Sequence, residues 1–465
     1  MDEKVLIKSG IRKIGFALVT QALILGCSLV TSIIVPKYME KEMYGQWQIY
    51  YFYLNYINFV TLGYNDGVVL KYGGMKREDL PVEKIRSGNF IMLCLSIVIS
   101  VVGMIFVRLL GISESDHFIF SMLLASMPFV CVFNIILSFF LAVNEQEKYN
   151  IVNFLSRFLA TIGYCVLLVT GVSGYIPMIG VDYGVRVLIA VVCIVIGVYF
   201  WHGRKAGWGE GFGVVRENCK SGILITMGAL CASFAPLSGR VVLEHKASLS
   251  EYASFSFAMS ILSLIVTFTN AAGIVFFPML KRLDTQDMPQ YYGKIKNVYN
   301  NLIFGALFCY VPAVLVIKYY VVEYVEVLEY VYLIVAICIP LGKLQVLITP
   351  YMKAYRLEKE YFVVNLISAV CVLVCDTLVY SLTNSVFGVA LMTLIVYESW
   401  SLILERYIKG KMGINRTECG KEVGILLFFA ILAFSGNLII FAAGYFLGAL
   451  LLVYKYRKHR RNSEN

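Results

Sequence analysis

Runs of about twenty apolar residues, separated by short charged or glycine-containing stretches, recur from one end of the chain to the other. They are continuous and rich in Leu, Ile and Val, without the polar/apolar alternation of a half-exposed strand. A helix of that length crosses the roughly 30 Å hydrocarbon core of a bilayer. In that core only helices and closed barrels satisfy their own backbone groups, and the unalternating runs exclude a barrel. The pattern predicts an all-α polytopic membrane protein. The spans it predicts are 14–36, 45–65, 88–110, 117–142, 150–172, 178–201, 221–242, 252–278, 297–318, 327–350, 361–382, 385–407, 422–435 and 438–454. The last two are short, with Ser-Gly-Asn at 435–437 as the turn between them, so the count is about 14, read as 12 + 2.

Composition agrees. Hydrophobic residues fill 59% of the 465 positions and charged residues 15%, against about 25% charged in soluble domains. The 12 cysteines fall mostly in apolar runs, form no CxxC, and are joined by only 4 histidines. They read as small buried hydrophobes, not as a metal site or disulfide framework. Gly207 to Gly213, "GWGEGFG", follows no strand and precedes no phosphate-binding Lys. It reads as a flexible linker, not a nucleotide loop.

Charge orients the spans. With both termini in the cytoplasm, most of the 40 Lys and Arg, including those of the "KYRKHRR" tail, fall on the inner side. The expected location is the bacterial cytoplasmic membrane, multi-pass. The net charge of +10 then faces the anionic inner leaflet and is no signal for nucleic acid.

The chain also repeats itself. "YNIVNFLS" at 149–156 is echoed by "YFVVNLIS" at 361–368, and "YGQWQ" at 44–48 by "YASFS" at 252–256. An even number of spans separates each pair, so the copies face the same way. This predicts two pseudo-symmetric six-helix lobes around a central cavity, a transporter plan. The lobes are 1–205 and 206–410, followed by a C-terminal hairpin and basic tail over 411–465.

Three stretches resemble the polysaccharide and O-antigen flippases of the multidrug/oligosaccharidyl-lipid/polysaccharide superfamily. "YGQWQIYYFYLNYINFVTLGYNDGVVLKYGG" (44–74) resembles that family's second span, with its Leu-Gly-rich turn and following basic residue. "SGRVVLEHKASLSEYASFSFA" (238–258) resembles the junction of spans seven and eight; Arg240 and Tyr252 match, but Gly239 stands where the family often has Asp. "EKEYFVVNLISAVCVLVCDTLVYSLTNSVFGVALMTLIV" (358–396) resembles spans eleven and twelve. The resemblance implies export of a lipid-linked oligosaccharide of polyprenyl-pyrophosphate type by alternating access. It implies no enzymatic chemistry and no cofactor. From the orientation, two phosphate charges carried outward run with an inside-negative potential, which is expected to drive export alone, with any Na⁺ or H⁺ coupling supplementary. The partners it implies are the lipid-linked substrate, membrane lipids and polysaccharide-assembly proteins.

Such a carrier needs cations for the phosphates in a hydrated cavity. A charge at a helix centre costs about 2.5–3.5 kcal/mol on insertion scales, which makes in-span charges candidates. Arg240, Lys343 and Arg186 are the candidate substrate-binding cations. Asp66, Lys71, Asp182, Asp376 and Glu398 are candidate gates or counter-ions. Each has a plainer reading. Arg240 could snorkel to the outer surface, as could Arg157 to the inner one. Lys343 could pair with an acidic neighbour, and Asp182 with Arg186 near the outer end of its span. Two other functions stay open: a MATE-like cation-coupled multidrug antiporter, for which Asp376 and Glu398 would matter most, and a membrane polysaccharide polymerase or ligase, which would need a larger outer loop. No catalytic or metal-ligating set is evident.

Overall fold

The computed structural model describes residues 3–280, 288–355, 357–414 and 420–450. In chain order its helices begin with α1 (Glu3–Tyr38), α2 (Lys41–Leu54), α3 (Tyr64–Tyr72), α4 (Val82–Leu109) and α5 (Glu114–Ala142). They continue with α6 (Gln146–Val169), α7 (Tyr175–Ile196), α8 (Val198–Trp201), α9 (Trp208–Phe234) and α10 (Ser238–Lys246). Then come α11 (Leu249–Leu280), α12 (Met288–Leu307), α13 (Tyr310–Tyr319), α14 (Val331–Ala336) and α15 (Cys338–Lys343). The last are α16 (Thr349–Ala354), α17 (Glu358–Thr383), α18 (Val386–Lys411), α19 (Gly420–Phe434) and α20 (Leu438–Leu450). Among the described residues 11 helical stretches are long and apolar enough to cross a membrane. The all-α membrane architecture expected from the hydropathy pattern is what the chain adopts.

Contacts divide the chain into two compact units. One comprises Met1–Phe234, Leu243–Ser256 and Glu358–Ala369; the other comprises Ala235–Val242, Phe257–Leu357 and Val370–Asn465.

Two expected elements come out differently in the first unit. The predicted span 45–65 is not one helix. α2 stops at Leu54, a tight 3₁₀ stretch covers Ile57–Thr61, and α3 starts at Tyr64. The break lies at Leu62 and Gly63, both left-handed at φ 45° and 81°, where glycine is at ease and a leucine is not. The expected linker at 207–213 is helical from Trp208 on, forming the start of α9. There Gly211 lies against Ser87 and Ile91 of α4, so its missing side chain serves packing.

α3 and α9 cross backbone to backbone. A Cβ on Gly67 would lie 2.0 Å from the Asn218 carbonyl oxygen, and one on Gly222 would lie 2.1 Å from the Gly63 carbonyl oxygen. Gly63 and Gly67 form a small-xxx-small step of the kind that lets membrane helices touch. Gly67→Leu is expected to destabilise the protein by at least about 1–3 kcal/mol, the cost of overpacking, visible as a lower melting temperature in detergent. An unchanged melt would refute the tight crossing.

In the second unit the C-terminal hairpin packs through aromatic rings. Tyr445 stacks on Phe304 at 4.4 Å between centroids and on Phe441 at 5.3 Å, and its hydroxyl donates to the Phe304 carbonyl. The expected turn at 435–437 is present: Gly436 is left-handed, and the Asn437 side chain accepts from the Ile439 and Ile440 amides at 2.9 and 3.3 Å.

The echoed phrases occupy equivalent local positions. Tyr149 and Tyr361 each stand three residues past the first residue of α6 and α17, as Tyr44 and Tyr252 do in α2 and α11. Asn153 donates to the Tyr149 carbonyl at 3.2 Å, and its counterpart Asn365 donates to the Tyr361 carbonyl at 2.8 Å. The shared letters thus encode a shared side-chain bond back onto the preceding turn.

Candidate functional site

In the first unit α2, α5, α6 and α7 enclose a small polar chamber of about 150 Å³. Its lining includes Tyr51, Asn55, Asn134, Asn153, Ser156, Arg157, Asp182 and Arg186. Asp182 is buried and accepts four bonds. Tyr50 and Tyr164 hydroxyls donate at 2.7 and 3.3 Å, and the Arg186 guanidinium donates twice at 2.6 and 3.2 Å. The pair is one turn apart on α7, so the carboxylate fixes the arginine in a fork geometry. Arg157 approaches from α6 and donates to the Tyr51 hydroxyl at 3.2 Å. It is exposed, unlike Asp182. Two guanidiniums and one carboxylate leave the chamber with an excess positive charge.

Arg157 stands about halfway along the 24-residue α6, and Arg186 about halfway along the 22-residue α7. The sequence reading set Arg157 near one end of its span and Arg186 near the other. The helices begin earlier than the hydropathy windows, so both arginines stand mid-helix and line the same chamber. Snorkelling does not describe Arg157, because its guanidinium turns to Tyr51. Asn153 and Ser156 of the echoed phrase also line this chamber.

The second unit holds a different cluster. Glu405 on α18 and Glu422 on α19 are fully buried, and so is Lys343 at the end of α15. Lys343 bridges them at 3.2 and 2.6 Å. Lys296 on α12 contacts Glu405 and lies 3.1 Å from Glu422, and Lys409 reaches Glu405 at 2.6 Å. A π-helical turn, Leu344–Ile348, follows Lys343 directly. Glu398, two turns before Glu405 on the same face of α18, is buried with no hydrogen-bond partner for either carboxylate oxygen among the described residues. The paired reading of Lys343 is therefore the geometry observed. Its partners Glu405 and Glu422, and their further cations Lys296 and Lys409, were not singled out from sequence.

The remaining candidates are dispersed. Asp376 on α17 is buried and accepts from Ser238 at 2.7 Å and from Thr393 at 3.1 and 3.2 Å. Arg240 is buried on α10, just after a 3₁₀ turn at Ala235–Leu237. Asp66 and Lys71 lie on α3 and engage α9: Asp66 accepts from Thr226, and Lys71 pairs with Glu217. That carboxylate holds the Lys71 ammonium above its ordinary range.

The profile of the polysaccharide biosynthesis protein family matches residues 11–284, more than half of the chain. The chain belongs to the polysaccharide biosynthesis protein family. Solved structures agree on the fold of this family member. The lipid II flippase MurJ, in an inward closed conformation, superposes with a TM-score of 0.62 at 14% identity, covering 98% of this chain and 100% of that one. An outward-facing MATE multidrug resistance transporter of the MOP superfamily gives 0.56 at 11%, over 87% and 95%. A MOP superfamily transporter from Pyrococcus furiosus gives 0.54 at 11%, over 87% and 96%. No curated protein matches by sequence. This member of the polysaccharide biosynthesis family thus has the helical fold of MOP superfamily transporters, as its motifs implied.

Proposed function

We propose that the protein is a flippase that carries lipid-linked oligosaccharides from the cytoplasmic to the outer leaflet. The observation that carries this reading is that Arg157 and Arg186, each mid-helix, line one chamber together with Asn55, Asn134 and Asn153. Guanidiniums suit phosphate oxygens, and amides suit sugar hydroxyls. A drug antiporter for cations would gain nothing from an excess of positive charge there. Both termini are cytoplasmic in this reading, and the membrane is the bacterial inner membrane. Polysaccharide-assembly proteins would supply and receive the substrate.

Outward movement of two phosphate charges runs with an inside-negative potential, worth roughly 4–5 kcal/mol at 100 mV. Asp376, Ser238 and Thr393 form an oxygen-rich buried cluster suited to Na⁺ or a proton as a supplementary coupling ion. Asp376→Asn is expected to abolish the response of transport to an imposed Na⁺ or pH gradient while the potential-driven component persists. A variant that still responds to both gradients would remove Asp376 from coupling.

The test of the function is reconstitution. Proteoliposomes should expose an undecaprenyl-diphosphate-linked oligosaccharide to an external glycosidase, faster when a potential drives anions outward. No exposure, accompanied by robust exchange of a cationic dye, would overturn the flippase reading in favour of antiport.

A further inference from the structure

A second cavity lies beside the polar chamber, on another face of the same helix. α1 and α6 pack together but leave a cleft of about 600 Å³ between them. Its walls are almost wholly apolar, with Leu23, Gly26 and Val30 on α1 facing Phe158, Ile162 and Val166 on α6. Along α6 the lining runs from Phe154 to Thr170, roughly 24 Å at 1.5 Å per residue. That is most of the thickness of the hydrocarbon core.

α6 therefore has two differently lined sides. Asn153, Ser156 and Arg157 serve the polar chamber, and Phe154, Phe158 and Ile162 serve the cleft. The two sides meet where Arg157 and Thr161 stand one turn apart, and the Thr161 hydroxyl donates to the Arg157 carbonyl at 2.9 Å. Thr161 lines the cleft with its hydroxyl already bonded to its own helix. An amphiphile with an anionic head and a long apolar chain matches this sequence of surfaces: positive charge first, then a dry channel. A short phospholipid chain matches only the second part.

We propose that the α1–α6 cleft seats the polyprenyl chain of the substrate while its phosphates engage Arg157. The proposal rests on the flippase reading and adds the site of the chain. It explains why α1 carries Gly26 where nothing lies within 4 Å of a would-be Cβ: the space is the channel, not a helix contact.

Gly26→Phe fills the cleft without displacing backbone, so the variant should fold and melt as wild type does. Binding of undecaprenyl diphosphate is expected to weaken roughly tenfold, the worth of about two buried methylenes. Binding of inorganic pyrophosphate should be unchanged. Arg157→Ala should weaken both. In an independent arm, undecaprenyl diphosphate bearing a diazirine in its chain should label the 154–170 segment of the wild-type protein. Equal undecaprenyl diphosphate affinity in Gly26→Phe and wild type, or labelling confined to other segments, would overturn the cleft assignment while leaving the flippase reading intact. Competition of the label by phosphatidylglycerol as effectively as by undecaprenyl diphosphate would overturn it too, assigning the cleft to a bilayer lipid. Unchanged binding of both ligands in Arg157→Ala would exclude Arg157 as the phosphate contact and overturn the head-to-chain placement, whereas the flippase reading stands or falls on the reconstitution assay.

Discussion

Glu405→Ala is expected to cost about 3–5 kcal/mol of stability, the usual consequence of removing one partner from a buried ion pair. The reason is count as well as burial. Glu405 alone is within ion-pair reach of Lys296, Lys343 and Lys409. Its loss leaves Lys296 and Lys343 sharing Glu422 and takes from Lys409 its Glu405 carboxylate, and Lys343 is wholly buried. A protein whose stability is of order 5–15 kcal/mol loses a large fraction of it. The measurement is a melting temperature in detergent, with the monodisperse yield as a second readout. Lys343→Met on the Glu405→Ala background should recover part of the loss, because it removes the stranded charge. A single variant that melts like wild type would show that the cluster is solvated and carries no such energy.

Arg157→Ala is expected to reduce oligosaccharide flipping by roughly 10–100-fold, the worth of a charge-assisted hydrogen bond of about 1.5–3 kcal/mol. Its guanidinium is exposed and makes one bond to Tyr51, so the melting temperature should barely move. Arg186→Ala should lower both, because it strands the buried Asp182 carboxylate. The double variant Asp182→Asn/Arg186→Ala should restore stability without restoring transport. Wild-type flipping in Arg157→Ala would exclude the chamber as the phosphate site.

The helical membrane fold was readable because hydropathy reports the solvent, and lipid leaves the backbone few choices. What hydropathy misreads is charge inside helices. The predicted span 385–407 ends just past Glu405, whereas α18 runs on to Lys411 and carries Lys409. The predicted span 297–318 begins one residue after Lys296, whereas α12 starts at Met288. Both windows stop short of a lysine that pairs in the interior, so Lys296 and Lys409 fell in apparent loops while Lys343, Glu405 and Glu422 fell in separate spans. The Glu405–Lys409 spacing of four was the available signal. The same trimming misplaced Arg157 and Arg186. The break after α2 was hidden for another reason: Leu62 is apolar and extends the run, yet its backbone is left-handed, which no hydropathy window detects.

The Lys343 cluster also sets an order of events during synthesis. Lys343 precedes Glu405 by 62 residues and Glu422 by 79. At about 5–20 residues per second, the lysine waits roughly 3–12 s for its first counter-charge. During that interval Lys343 lacks both carboxylates that hold it in the finished interior. The ion pairs of Lys343 can therefore form only once α18 and α19 have been made, and the C-terminal hairpin supplies the last tie on a helix made well before it.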